Sequence, residues 1–271
     1  MISHLIRVTS LAAASTALAA SLQAQTLLSW SASNFAAFTD PSAAAFDSDV
    51  TNPMVEQGTL TRGGSIAGTT TTNGVFGGIN YSTSGDLGVA QSESSFWEFV
   101  VTPETGNALD FASLTVNVGT LNTISNDGGF AFHQGPNRLA LGYSFSADPL
   151  TDNFVEIDAN PDVVLRNAEG TVREIAGITA TEWDLTFLQS IQTAVYFRLY
   201  LFNASDELGE AFIGSSGAGP GVGTPDLVVR GVGAVVPEPA TVAVVMGLAS
   251  LAAVTLGRRR KRFLVTKTSA S

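Results

Sequence analysis

Apolar and polar residues alternate with a period of two along most of the middle of this chain. Successive side chains of a strand point to opposite faces, so the alternation predicts strands with one buried face. Ala194 to Phe202 carries it most strongly. Val195, Phe197, Leu199 and Leu201 fall on one face, and Tyr196, Arg198, Tyr200 and Phe202 on the other. Asp110 to Val118 sets Phe111, Leu114, Val116 and Val118 among Thr115 and Asn117. Arg138 to Ser146 alternates Leu139, Leu141, Tyr143 and Phe145 with small or polar neighbours, and Glu182 to Leu188 does the same with Trp183, Leu185 and Phe187. Ser95 to Val101 is an apolar strand stopped by Thr102-Pro103, and Asp226 to Val232 is the closing strand. Phe154 to Ile157 and Val163 to Leu165 are shorter strands. Helical periodicity is scarce; Asn34 to Ala45 carries only a weak helical signal.

Gly, Asn, Asp and Pro punctuate these runs, as turns between strands require. Gly58 to Gly88 is rich in Gly, Thr and Ser and predicts hairpins, with Asn73-Gly74 as a type I′ turn. Ser215 to Gly223 is a second glycine-rich loop. Many short strands with turn signals between them predict an all-β fold, an antiparallel β-sandwich with jelly-roll topology, occupying residues 25–235 as one domain.

The two ends break the pattern. Residues 1–24 read as a signal peptide: His4 and Arg7 give a polar start, Leu11 to Ala20 an apolar core, and Ala24 a small residue for cleavage, with Ala19 and Ala20 as alternatives. Export by the secretion translocon and removal by signal peptidase follow from that reading. Near the other end, Ala240 to Gly257 is 18 residues without a charge. As a helix it spans about 27 Å, just enough for a thin hydrocarbon core. Arg258, Arg259, Arg260, Lys261 and Arg262 follow at once. Basic clusters flanking a span stay in the cytoplasm, so the sandwich is expected outside and residues 263–271 inside as a short tail. Pro237-Glu238-Pro239 precedes the span, and its prolines keep the chain extended as a stem.

Pro237-Glu238-Pro239, a short transmembrane helix at 240–257 and a basic cluster at 258–262 together resemble the PEP-CTERM sorting signal, over residues 236–262. The tail beyond Arg262 is longer than members of that family often carry. The resemblance implies recognition by a membrane-embedded exosortase, with the inner membrane holding the precursor before the passenger reaches the cell surface or extracellular matrix. It also implies an exopolysaccharide or biofilm setting. A plain membrane anchor is the alternative. The run from Phe197 to Tyr200, a glycine-rich loop and the closing strand at Asp226 are similar to the jelly-roll cargo domains that often precede this signal.

Charge and composition narrow the chemistry. Without both ends, six cations face 23 acids, a net of −17, and every one of the six is arginine. Such a surface repels nucleic acid, whose binding needs cationic contacts to phosphate. It favours solubility and attracts calcium. No cysteine is present, which excludes thiol chemistry, iron–sulfur clusters and Cys-ligated zinc. The two histidines are His4 and His133, so no site of several histidines is available.

Among candidate sites, Tyr196, Arg198 and Tyr200 share the outer face of the strongest strand, where aromatic rings stack on sugars. Trp97, Trp183 and Tyr143 are further aromatic candidates, with burial in the core as the alternative for all of them. Asp47, Asp49, Asp127, Asp148 and Asp152 are candidate calcium ligands, although none sits in an EF-hand loop and Asp is also an ordinary turn residue. No catalytic constellation is visible. The expected function is a non-catalytic, exported surface or matrix protein that binds glycan. The alternatives are a secreted polysaccharide hydrolase using two of Glu93, Glu98 and Glu182, and a purely structural matrix component.

Overall fold

The computed structural model describes residues 23–31, 45–68, 76–125, 131–146, 154–157, 163–164, 175–214 and 225–236. Among them are fifteen strands and one short helix. The chain begins with β1 (Gln25–Trp30), β2 (Ala45–Asp47), β3 (Val50–Thr51), β4 (Thr59–Arg62) and β5 (Phe76–Gly78). Helix α1 (Leu87–Ser92) precedes β6 (Phe96–Val101), the long β7 (Asn107–Ser125), β8 (Ala131–Gln134) and β9 (Arg138–Ser144). Then come β10 (Val155–Glu156), β11 (Val163–Val164), β12 (Ile175–Asp184), β13 (Val195–Phe202), β14 (Glu210–Ile213) and β15 (Leu227–Val235).

The strands form two antiparallel sheets, as expected. Sheet one runs β3-β1-β15-β7, with β12 on the far edge of β7 and β8 pairing its C-terminal end. Sheet two runs β2-β4-β6-β13-β9, and β10 and β11 follow one another along the outer edge of β9. β7 is the spine of sheet one. Its edge opposite β12 is shared by β15, over residues 107–116, and β14, over residues 118–121. Asn117 makes the handover. Its N–H donates to the Asp226 carbonyl at 2.7 Å, and its own carbonyl accepts from the Gly214 N–H at 3.2 Å. β14 and β15 are therefore one interrupted strand, with β5 outside β14.

Inward-facing residues of both sheets make the core. Val195, Phe197, Leu199 and Leu201 of β13 are all buried in it, as their alternation predicts. Phe99 and Phe197 stack within sheet two, centroids 5.3 Å apart. Trp30 of sheet one meets Phe99 at 5.3 Å, and Phe111 of sheet one meets Phe197 at 5.7 Å. The Trp30 indole N–H donates to the Phe46 carbonyl at 3.1 Å.

β7 departs from strict alternation for a physical reason. Leu109 and Phe111 are buried at odd positions, whereas Leu114, Val116 and Val118 are buried at even ones. The pairing with β15 slips between Arg230 and Gly231, leaving Ala112 as an extra residue. A bulge inserts one residue and so returns the apolar set to the same face. A second bulge on the other flank of β15 leaves Leu27 extra, which lets both Leu27 and Leu28 be buried. Arg230 lies between the two, followed by Gly231. A Cβ there would stand 2.5 Å from the Asp110 carbonyl oxygen and 2.8 Å from Leu27 Cδ1.

Two expectations are corrected. The strand expected over Glu182 to Leu188 ends at Asp184, and residues 185–188 form a turn that leaves Phe187 exposed. Helix α1 starts on the last two residues of the Gly58 to Gly88 segment expected to hold hairpins and runs beyond it. Asp86 caps it, accepting from the N–H groups of Gly88 and Val89. Asn73-Gly74 and the Ser215 to Gly223 loop lie outside the described residues.

The double bulge gives a test. Gly231→Ala is expected to cost about 1–3 kcal/mol, the usual penalty of forcing atoms into a filled site. An unchanged urea midpoint would show that the strands part without cost.

Candidate functional site

The outer face of β13 is built from β6, β13 and β9. Arg198 stands opposite Glu98 on one side and Gly142 on the other. Its Nε donates to Glu98 Oε2 at 2.7 Å. Its guanidinium lies over the rings of Phe96, at 4.1 Å, and Phe154, at 3.9 Å. Gly142 makes room: a Cβ there would be 3.2 Å from the Tyr200 ring and 3.5 Å from Phe154 Cβ. Only a planar cation fits between two rings while donating sideways to a carboxylate.

This face is therefore occupied by the protein itself. Helix α1 lays Ala90 and Leu87 against Phe96, Ala140, Tyr200 and Phe202. Tyr200 is 2% exposed and Arg198 7%, which corrects the expectation that they lie on an open surface. Tyr196 is half-buried. The three do not form a stacking strip. Trp97 and Trp183 are buried in the core between the sheets.

A different aromatic group is open. Tyr143, half-buried at the end of β9, touches Phe145 with centroids 5.8 Å apart and Phe187 at 5.5 Å. Phe145 is 52% exposed and Phe187 53%. Phe145 and Phe187 both sit in runs whose alternation predicts inward rings. The one sequence signal against that is Asp184-Leu185-Thr186, whose Asp accepts from the Thr186 N–H at 2.8 Å and starts the turn. The Thr186 hydroxyl and N–H hold the Asp184 carboxyl below its usual range.

The acidic candidates serve the corner between β2 and β3. Asp47 Oδ1 accepts from the Thr59 hydroxyl at 2.9 Å, and Asp49 Oδ2 accepts from the Ser31 N–H. Among the described residues no group of three His, Asp or Glu is placed to hold a metal. Asp127, Asp148 and Asp152 lie outside the described residues.

A buried polar group joins the sheets elsewhere. Arg62 of β4 donates from Nε to the Gly77 carbonyl of β5 at 2.7 Å and lies 4.1 Å over the Phe76 ring. The Tyr81 hydroxyl donates to the Ala211 carbonyl at 3.1 Å. Burial pushes the Tyr81 phenol well above its ordinary range; nearby Arg62 opposes this and Glu210 adds to it.

The C-terminal end of the fold is the last piece. β15 stays paired with β7 to its final residue, Val235 opposite Asn107, and the Val236 N–H donates to the Gly106 carbonyl at 2.8 Å. Residues 235–261 match the PEP-CTERM protein-sorting motif. The chain carries this sorting signal. The PEP-CTERM match thus starts on the last residue of the last strand. It implies exosortase as the sorting partner and a destination at the cell surface or in the extracellular space. No curated protein matches the chain. Pro237, Glu238, Pro239, the apolar stretch 240–257 and the cluster Arg258 to Arg262 lie outside the described residues, as do residues 1–22. Among the described residues no helix is long and apolar enough to cross a membrane.

Two outcomes follow from these packings. Arg198→Lys keeps the charge but loses the plane, and is expected to cost about 1–2 kcal/mol; equal denaturation midpoints would show that the rings do not hold the cation. Tyr81 is neutral in the fold, so its contribution is complete below the unfolded tyrosine value of about 10 and declines as pH rises above it. The absorbance difference between the native chain and Tyr81→Phe should show no tyrosinate from Tyr81 until the fold gives way.

Proposed function

We propose that this chain is an exported surface or extracellular-matrix protein, held by the inner membrane until an exosortase processes it. Its passenger is a non-catalytic jelly roll that binds glycan. Numbering the main strands β1, β6, β7, β9, β10 with β11, β12, β13 and β15 from one to eight, sheet one reads 1-8-3-6 and sheet two 2-7-4-5. Two Greek keys folded together have this order. Fold alone does not establish binding. The reading is carried by the junction at Val235 and Val236, where the match to the sorting motif begins on the last residue of the last strand. An address that starts on the fold's own last strand suits a domain whose task is to be displayed. The hydrolase alternative needs two free carboxylates facing a cleft, and Glu98, one of its candidates, is engaged by Arg198.

Replacing Pro237-Glu238-Pro239 by three alanines in the full chain, in a cell that has the exosortase, tests the sorting part. Full-length, membrane-retained protein is expected. Unchanged processing and release would leave a plain anchor as the better account.

A further inference from the structure

We infer that Tyr143, Phe145 and Phe187, with Val155, form the binding site for an uncharged carbohydrate ring at the lateral edge of the sandwich. This rests on the glycan-binding reading and gives it a place. The four residues come from three parts of the fold. Tyr143 is on β9, Val155 stands directly opposite it on β10, and Phe187 is on the turn after β12. The contact between Tyr143 and Phe187 brings the outer edge of sheet two to the outer edge of sheet one.

The exposure of Phe187 is fixed by its surroundings. Its neighbours Leu185 and Leu188 are buried and anchor the turn. Leu188 N–H donates to the Leu185 carbonyl, Leu185 N–H to Ala112, and Phe111 N–H to the Leu188 carbonyl, each at 2.9 Å. The Gln189 amide donates to the Thr186 carbonyl at 2.8 Å and to the Phe111 carbonyl at 3.2 Å. A ring held rigidly in water has already lost the freedom that binding would otherwise remove.

Size and charge select the occupant. Phe145, Phe187 and Val155 are each about half exposed (52%, 53% and 53%). They offer on the order of 300 Å² of apolar surface, taking roughly 200 Å² for a whole aromatic side chain. A stable protein partner needs about 800 Å² on each side. The patch is too small for that and the right size for a ring or two. A pyranose has a face of C–H groups for the rings and a rim of hydroxyls, for which the Asp184 carboxylate at the base of the turn is an acceptor. The net charge of −17 between the two ends repels polyanions, which leaves neutral sugars.

The test is affinity electrophoresis of the full-length chain through gels holding a neutral β-glucan, a neutral galactomannan or the polyanion alginate. Retardation by a neutral polymer is expected. Phe187→Ala and Phe145→Ala should each weaken it about tenfold, as loss of a stacked anchor does, and Phe187→Tyr should restore it. Equal thermal midpoints for the variants confirm that folding is intact. Neutral-polymer binding that survives the double alanine change overturns this site and leaves the glycan reading standing. Retardation by none of the polymers overturns both, as does ring-dependent self-association in sedimentation without polymer binding. Preference for alginate overturns the charge argument and with it the ligand class.

Discussion

The structure depends on four rings that hold the two sheets together. Phe99 and Phe197 stack side by side on sheet two, and Trp30 and Phe111 close on them from sheet one. With no cysteine in the chain, no disulfide takes over this task. Trp30 of β1 meets Phe99 on β6, and β1 pairs with β15, made only after most of the passenger. Contacts between residues so far apart in sequence must be reached through large loops, which makes such folds slow to form. At the lateral edge, Tyr143 of β9 meets Phe187 of the turn after β12, which joins the outer edges of the two sheets there.

Much of this was legible in the residues, and the gaps have particular causes. β13, β9 and β6 read directly because each has one face in the core and keeps its phase throughout. β7 reads only in part because the Ala112 bulge shifts its phase halfway along. β1 hides behind two adjacent leucines, which look like a break in alternation until the Leu27 bulge explains them. β14 is buried at all four positions and so has no alternation to show. Helix α1 has six residues, one of them Gly88, too few for a helical period to emerge. The sorting motif was fully legible, because an address read by another protein is written in linear order. The outer face of β13 was not. An aromatic and cationic strip looks the same in sequence whether sugar or the chain's own helix covers it, and α1 arrives there from more than 100 residues away. Phe145 and Phe187 escaped for the opposite reason: each lies just past a strand end, where alternation still points inward and the backbone has already turned.

The arginine-only composition of the passenger acquires a meaning in the fold. Arg62 donates to the Gly77 carbonyl and lies over Phe76. Arg138 reaches the Gly85 carbonyl at 3.1 Å. Arg198 pairs with Glu98 between two rings. In each case a flat, weakly hydrated cation joins separate segments, a use that suits guanidinium and not ammonium. These three cations act as ties between segments, whereas Arg230 is exposed.

The junction between β15 and the sorting motif has a mechanical consequence. β15 lies inside sheet one, flanked by β1 and β7, and ends at Val235, where the match to the sorting motif begins. A pull applied along the axis of this strand, through the chain that follows it, enters the fold at Val235. Load in that direction shears the ladder hydrogen bonds on both flanks together, whereas a pull across the sheet would unzip them singly. The strand that carries the address is thus also the one best placed to resist being drawn out of the fold by it.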